Sequence, residues 1–496
     1  MVHIVGGGLA GCEAAWQLAR RGVAVTIHEM RPVRPTDVHK TDRLAELVCS
    51  NSFRSDKLDN AVGLLKEEMR HLDSLVMRVA DEVRVPAGAA LAVDRERFAD
   101  RVTELVTHDP LITLVREEIT DIPEPQGADG PVIIATGPLT SQPLSDRIAA
   151  LVGRAHLYFY DAVSPIVLAE TVDQSRVFRA SRWARSLRGA EAANVAQDLS
   201  PADDRSGSGP ARACGVDDGE GDYLNCPFTA EEYARFHDAL MTAERAALHD
   251  FEKEKFFEGC LPIEVMAHRG PDTLRFGPMK PVGLVDPKTG RGAYAVVQLR
   301  QDNLAADHYS LVGFQTQLKW AEQARVFRLI PGLEHAEFVR FGLVHRNTYI
   351  NGPTVLADTW QVRTRPLLFF AGQVSGVEGY VESAASGLLA GINAAAVAHG
   401  RATSAPPRTT AIGALGYYVS HAEPKHYQPS NVTFGIMAPL EPMDRRLRRD
   451  RKARNEAISA RALTELDVWH REHGRDACAS RELMSGTGVP PVPVTR

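Results

Sequence analysis

The chain lacks several features that would have assigned it a class at once. It has no run of 18 apolar residues, so no segment reads as a membrane span. Its six cysteines, at 12, 49, 214, 226, 260 and 478, form no CxxC pair and no Cys/His group with zinc spacing. The expectation is free thiols in a reducing compartment, with no metal. There is no CxxxxC redox pair, no internal repeat and no second GxGxxG after the one near the N-terminus. The balance of 57 Lys and Arg against 63 Asp and Glu gives a net charge of −6, which removes any global electrostatic case for nucleic acid. No secretory leader pattern opens the chain, and the expected location is the cytoplasm. With 496 residues, 44% hydrophobic and 24% charged, two or three globular domains are expected.

The N-terminal pattern is rich in meaning. Residues 3–5 read as a short buried strand, followed by Gly6-Gly7-Gly8-Leu9-Ala10-Gly11 and a helical pattern over 12–21. Residues 23–28 read as a second strand, with Glu29 at its end, 18 residues after Gly11. Gly6 permits the tight turn, Gly8 lets a pyrophosphate approach the backbone, and Gly11 lets helix and strand pack closely. The helix start offers unpaired N–H groups to phosphates. Glu29 can accept from ribose hydroxyls. Strand, loop, helix, strand and acid in register predict a dinucleotide site.

Two later segments indicate which dinucleotide. Val132-Ile133-Ile134-Ala135-Thr136-Gly137 is a buried strand ending in Ala-Thr-Gly. Residues 367–372 form another, running into Gln373 and Gly376-Val377-Glu378-Gly379-Tyr380, then a small-residue helix over 382–398. Gly137, Gly372 and Gln373 thereby join the expected cofactor contacts. This order is similar to the FAD half of two-dinucleotide-type flavoproteins. The expected fold is α/β: a discontinuous Rossmann-type FAD-binding domain over 1–145 and 335–400, with a second α/β domain inserted over 146–334. Within the insert, 184–221 is poor in large apolar residues and reads as a disordered loop. Residues 401–408 read as weakly structured. A C-terminal segment over 401–470 carries a basic helix, since 444–454 holds seven Lys and Arg against two Asp. Residues 471–496 read as a flexible tail. The basic run is either a solvated helix face or an RNA-backbone site.

Cys49 lies in Cys49-Ser50-Asn51-Ser52-Phe53-Arg54, and Cys226 in Leu224-Asn225-Cys226-Pro227. Pro227 argues against a strand running through Cys226 and predicts a loop that presents the thiol. A lone cysteine is otherwise an ordinary small core residue.

These stretches, with Val85-Pro86-Ala87-Gly88, Leu274-Arg275-Phe276-Gly277-Pro278-Met279-Lys280-Pro281, Gln298-Leu299-Arg300-Gln301-Asp302-Asn303 and His345-Arg346-Asn347-Thr348-Tyr349, resemble the folate- and FAD-dependent tRNA (uracil-5-)-methyltransferase family, the TrmFO type. The resemblance covers most of 1–470. It implies methylation of C5 of uridine 54 in the tRNA T arm. The carbon would come from 5,10-methylenetetrahydrofolate, with FAD as cofactor and NAD(P)H as reductant. It further implies Cys226 as the thiolate that adds to uracil C6, Cys49 as a second active-site cysteine beside the flavin, and Tyr349 as an aromatic stacked near it. The chemistry explains the need for a thiol, because uracil C5 is a poor nucleophile until something adds at C6. An rRNA uracil and the related MnmG-type wobble-uridine chemistry are the alternatives within the same fold. A flavin-binding protein without turnover is the alternative outside enzymes. The oligomeric state is not legible.

Overall fold

The computed structural model describes residues 1–36, 38–124, 130–153, 156–162, 164–184, 221–246, 261–342, 344–441, 447 and 449–473. Nearly all of the predicted 184–221 loop, most of the 471–496 tail and Cys214, Cys260 and Cys478 lie outside them.

One six-stranded sheet organises the first part of the fold. Its order is Gln361–Val362, Arg365–Phe370, Val132–Ile134, Val2–Val5, Val25–Glu29 and Ile112–Arg116. All neighbours are parallel except the first pair. Ile4 sits opposite both Ile27 and Ile133. Helices cover the sheet, which is why its central strands are near-continuous apolar runs rather than alternating ones. The helix Leu9–Arg20 packs along the helix Tyr380–Ala398. Their closeness explains the small residues of the latter. A Cβ on Gly387 would lie 2.2 Å from the Ala10 carbonyl oxygen, and one on Gly391 2.7 Å from that of Ala14. Tyr380–Ala398 is long and apolar enough to cross a membrane, but 78% of its apolar window is buried in this core.

The C-terminal helices belong to the same core. Ile412 and Leu415 of Ala411–His421, and Ile458, Ala462, Leu466 and Trp469 of Arg451–His473, are buried with the first sheet's residues. The segment 401–407 has no helix or strand, yet it is pinned. Asn393 Oδ1 accepts from Ser404 N at 2.8 Å, and Trp469 Nε1 donates to Ser404 Oγ at 2.8 Å. Of the basic run, Arg449, Arg451, Lys452 and Arg454 are described, and Arg451–His473 begins within it.

The middle of the chain builds a second, antiparallel sheet. Its order is Phe178–Ala180, Tyr223–Phe228, Ala295–Gln301, His308–Leu311, Ile166–Leu168 and Phe338–Arg340. One face carries Leu224, Cys226, Phe228, Val297 and Leu299 into a core with Phe236 of Ala230–Thr242 and Phe327 of Trp320–Phe327. The opposite face carries Tyr223, Asn225, Gln298 and Arg300, by the alternation of a strand. The chain enters and leaves this part through two strands paired antiparallel, His156–Ala162 and Val344–Ile350.

The expected loop at Cys226 is a strand instead. Proline is tolerated because the neighbour Phe178–Ala180 ends opposite Asn225. Beyond that point no ladder donor is needed on that side, so Pro227 behaves as an edge residue within an interior strand.

Candidate active site

The glycine turn has the geometry its spacing predicts. Gly6 has φ +108°, and a Cβ on Gly11 would lie 1.9 Å from the Gly6 carbonyl oxygen. Only glycine therefore lets the helix start this close to the first strand. Around Gly8 the opposite holds: nothing lies within 4 Å of where a Cβ would be. The helix Leu9–Arg20 starts at Gly8 with no side-chain cap and no acid in its first turn. Its first N–H groups are thus left for a ligand. Cys12 is buried below, its thiol donating to the Gly7 carbonyl at 3.3 Å. It braces the turn and performs no visible chemistry.

The turn opens onto a cleft bounded by the ends of several strands of the first sheet. Gly6, Gly7, Gly8, Leu9, Ala10 and Glu29 form one wall. Gly137, Gly372 and Gln373 stand on others, together with Thr136, Ser141, Tyr380 and Ser383. Residues 132–137 and 365–373 are brought there because Val132–Ile134 lies beside Val2–Val5 in the sheet and Arg365–Phe370 beside Val132–Ile134. Gln373 Nε2 donates to Glu378 Oε2 at 2.6 Å, and Gly372 N to Ser386 Oγ at 2.7 Å, which fixes this edge.

Glu29 accepts from Gly7 N at 2.8 Å, from Arg31 N at 3.0 Å and from Arg31 Nε at 2.8 Å. Burial opposes its ionisation, but the Arg31 guanidinium outweighs it and holds the carboxyl below its usual range. A carboxylate has about four acceptor positions, so three bonds leave one for a ribose hydroxyl. Open space at Gly8, an uncapped helix start and an ionised acid at the second strand's end all suit an adenine dinucleotide. Arg31 carries no motif of its own; only its place two residues past the acid signals it.

Cys49 adjoins the same cleft through Val48, its neighbour in the chain. Val48 and Tyr380 line the cleft, and the Tyr380 hydroxyl accepts from Cys49 N at 2.7 Å and Ser50 N at 3.1 Å. The residue is partly exposed. From the second sheet, Arg300 donates to Asn51 Oδ1 at 2.8 Å and to Ser50 Oγ at 2.7 Å. Arg340 donates to the Val48 carbonyl, and Arg95 to the Leu47 carbonyl. Asn51 is fully buried and donates to the carbonyls of Val93, Gln301 and Asp302. The Cys49 loop is therefore the seam between the two sheets' domains.

The two predicted cysteines are not brought together. Cys226 is 0% exposed, and burial pushes its thiol far up, with Glu334 adding to the effect. Its side chain points into the second domain's core, on the face of the sheet opposite Arg300. Tyr349 is buried too, 6.1 Å from the Tyr427 ring, and burial raises its phenol to about 12. It lies outside the cleft wall. Tyr427 donates to the Gly376 carbonyl at 3.0 Å, so this aromatic pair supports the 373–379 loop from behind. Sequence reasoning missed Arg95 and Arg340, and it reads Arg300, within Gln298-Leu299-Arg300-Gln301-Asp302-Asn303, as part of the resemblance and of a basic surface rather than as a grip on this loop. Among the described residues no three His, Cys, Asp or Glu side chains are placed to hold a metal ion.

The chain matches the family model described as glucose inhibited division protein A over residues 1–198 and 211–402. It is 54% identical over 462 residues to the methylenetetrahydrofolate--tRNA-(uracil-5-)-methyltransferase TrmFO of Anoxybacillus flavithermus, covering 93% of this chain and 97% of that protein. The protein of the same name from Enterococcus faecalis is also 54% identical over 462 residues, with the same coverage. That from Desulforudis audaxviator is 55% identical over 473 residues, 95% of this chain and 99% of that protein. Among solved structures, Aquifex aeolicus GidA superposes with a TM-score of 0.65 at 17% identity, covering 97% of this chain and 75% of that one. That likeness shows the flavoprotein-type fold.

Proposed function

Because the chain belongs to the glucose inhibited division protein A family, and within it to the TrmFO type, we propose that it methylates C5 of a tRNA uridine with carbon from 5,10-methylenetetrahydrofolate. The uridine proposed is position 54 of the T arm, and the place of action is the cytoplasm. The cofactor proposed is FAD, held by the Gly6–Gly11 turn, Glu29, Gly137, Gly372 and Gln373. Bound there, FAD would supply the hydride that takes the one-carbon unit from the formaldehyde to the methyl level, drawn from NAD(P)H.

The observation that carries the reading is the position of Cys49, between the dinucleotide cleft and the arginines of the second domain. A cysteine thiolate adds to C6 of a uracil lying over the cleft mouth. The ring then carries enolate character at C5, which attacks the one-carbon unit. Loss of the C5 proton and departure of tetrahydrofolate leave a methylene on C5; a hydride then adds to that carbon as the thiolate leaves, which restores the ring. The uridine must be turned out of the tRNA elbow to reach the thiol. The amide donors at Cys49 and Ser50 are fixed by Tyr380, so the loop presents its thiol in one orientation. Cys226 is the thiol proposed for this addition, and Cys49 the second active-site cysteine, beside the flavin. Cys226 is buried in the second domain's core, so that face of the sheet must open before a uracil reaches it.

The test uses tRNA transcripts containing C5-tritiated uridine, or 5-fluorouridine as a covalent trap. Wild type should release tritium only with folate and NAD(P)H present, and lose release when position 54 is changed. Cys226→Ala should form no trapped adduct, whereas Cys49→Ala should still form one. An adduct with a folded Cys226→Ala but none with Cys49→Ala would reverse the assignment. No tritium release from any tRNA would direct the search to rRNA fragments.

A further inference from the structure

The dinucleotide cleft is poor in positive charge. Its walls carry Glu29, Glu46, Glu117 and Glu118, and Arg31 is the one arginine or lysine among its described lining residues. Arg31 is already engaged, donating to Glu29 Oε1 at 2.8 Å and to Glu46 Oε2 at 3.4 Å. A diphosphate brings two negative charges into this cleft. Its oxygens must therefore be met by N–H and hydroxyl donors rather than by a side-chain cation. The uncapped start of Leu9–Arg20 supplies one such set.

A second set stands on the wall that follows the strand Val132–Ile134. The helix Gln142–Val152 begins there, with Ser141 as its N-cap residue. A serine in that position ordinarily accepts from an amide two or three residues on. Ser74 does so from Met77 N at the helix Leu75–Glu82, and Asp94 from Glu96 N and Arg97 N at the helix Arg95–Thr107. Ser141 makes no such bond. It lines the cleft, is 8% exposed, and its Oγ is buried with no hydrogen-bond partner among the described residues. The hydroxyls beside it are satisfied, since Thr136 and Thr140 bond each other at 2.6 Å. Pro143 has no N–H, so the first-turn amides without a partner inside the helix are those of Gln142 and Leu144. Leu144 lines the cleft as well, and no acid stands in the first turn to compete for these donors. A buried hydroxyl without a partner costs stability unless a ligand supplies one.

We propose that Ser141 and the start of Gln142–Val152 form the second half of the FAD diphosphate site. The start of Leu9–Arg20 holds one phosphate, and the Ser141 hydroxyl donates to an oxygen of the other. The proposal rests on the reading of the cleft as an FAD site, but its measurement needs neither RNA nor folate. The same donors suit a phosphate of a nicotinamide dinucleotide, and the test separates the two.

The experiment is flavin release from the full-length holoenzyme on dilution, followed by the rise in flavin fluorescence. Ser141→Ala should weaken FAD binding about tenfold or more. Ser141→Thr, which keeps the hydroxyl, should retain most of the affinity. Ser141→Asp gives two effects of opposite sense. Aspartate caps a helix as well as serine does, so the variant stripped of flavin should melt at or above the wild-type temperature. Its charge repels a phosphate, so FAD binding should fall by about a hundredfold. Wild-type FAD retention in the Ala and Asp variants overturns the proposal. So does a loss of affinity matched by a loss of melting temperature in the stripped protein, which would make Ser141 a structural residue only. Unchanged FAD retention with a higher NADPH concentration for half-maximal flavin bleaching would give the site to the reductant and overturn it too. Weak FAD binding in stable Ala and Asp variants of a protein that methylates no uridine would sink the functional reading and leave the diphosphate site standing.

Discussion

Alanine at Gly11 and alanine at Gly8 should separate folding from cofactor binding. At Gly11 the new Cβ would lie 1.9 Å from the Gly6 carbonyl oxygen and 3.0 Å from its carbon. Ordinary contact begins near 3.4 Å, so the gap must open by about 1.5 Å. The helix Leu9–Arg20 cannot yield freely, because Gly387 and Gly391 press against its other side. Overpacking of this kind costs about 1–3 kcal/mol of stability. It also carries the Leu9 and Ala10 amides away from the cleft. Each charge-assisted N–H to phosphate bond lost weakens binding by about 1.5–3 kcal/mol, or roughly 10- to 150-fold. At Gly8 the Cβ meets no protein atom but enters the space assigned to the pyrophosphate. Gly8→Ala should therefore melt like wild type when stripped of flavin and bind FAD at least tenfold more weakly. Gly11→Ala should show both defects. The assays are flavin fluorescence titration of the stripped protein and its thermal denaturation. Wild-type FAD affinity in Gly8→Ala would refute the placement of the pyrophosphate, and wild-type stability in Gly11→Ala would refute the steric argument.

Burial raises the Glu68 carboxyl to about 8, although it accepts from Ala411 N at 2.7 Å and Ile412 N at 2.8 Å. A raised folded-state pKa contributes stability that is complete below about 4.5 and is lost as pH rises through about 8. Lys66 acts in the opposite sense, since burial lowers it to about 7 and stability from it grows above that pH. The melting temperature of Glu68→Gln should accordingly decline less between pH 6 and 9 than that of wild type; equal slopes would remove Glu68 from the account. Asn51→Ala deprives buried carbonyls of Val93 and Gln301 of their donor and Arg300 of an acceptor, and should cost about 3 kcal/mol in urea denaturation. Tyr380→Phe removes the acceptor shared by the Cys49 and Ser50 amides. It should lower the methylation rate about tenfold or more with FAD still bound, and an unchanged rate would show that the loop holds its orientation without it.

The first sheet was readable because burial on both faces leaves strands such as Val132–Ile134 wholly apolar, and because a glycine turn needs three glycines at set positions. The cleft followed from the same logic, since its walls are the ends of those strands. The loop expected at Cys226 is a strand, because the rule on proline presumes neighbours along the whole strand; where a neighbour stops is a property of the sheet, invisible in Leu224-Asn225-Cys226-Pro227. The arginines around Cys49 come from positions 95, 300 and 340, and no local spacing relates them. Tyr349 carries an apt chemical character, but the direction a ring faces depends on what packs behind it, here Tyr427.

The paired strands His156–Ala162 and Val344–Ile350 bear on how the polypeptide assembles. The strand Arg365–Phe370 must settle beside Val132–Ile134, yet it is synthesised only after the whole intervening domain. A floppy connection of that length would make the junction slow to form, since distant ends meet rarely. Zipping the two strands together brings the entry and exit of the insert side by side, and the late strand is then delivered next to its partner. The insert can in this way mature as a self-contained unit while the half-built sheet waits. The first sheet should be the last region to gain protection in pulse-labelled hydrogen exchange during refolding.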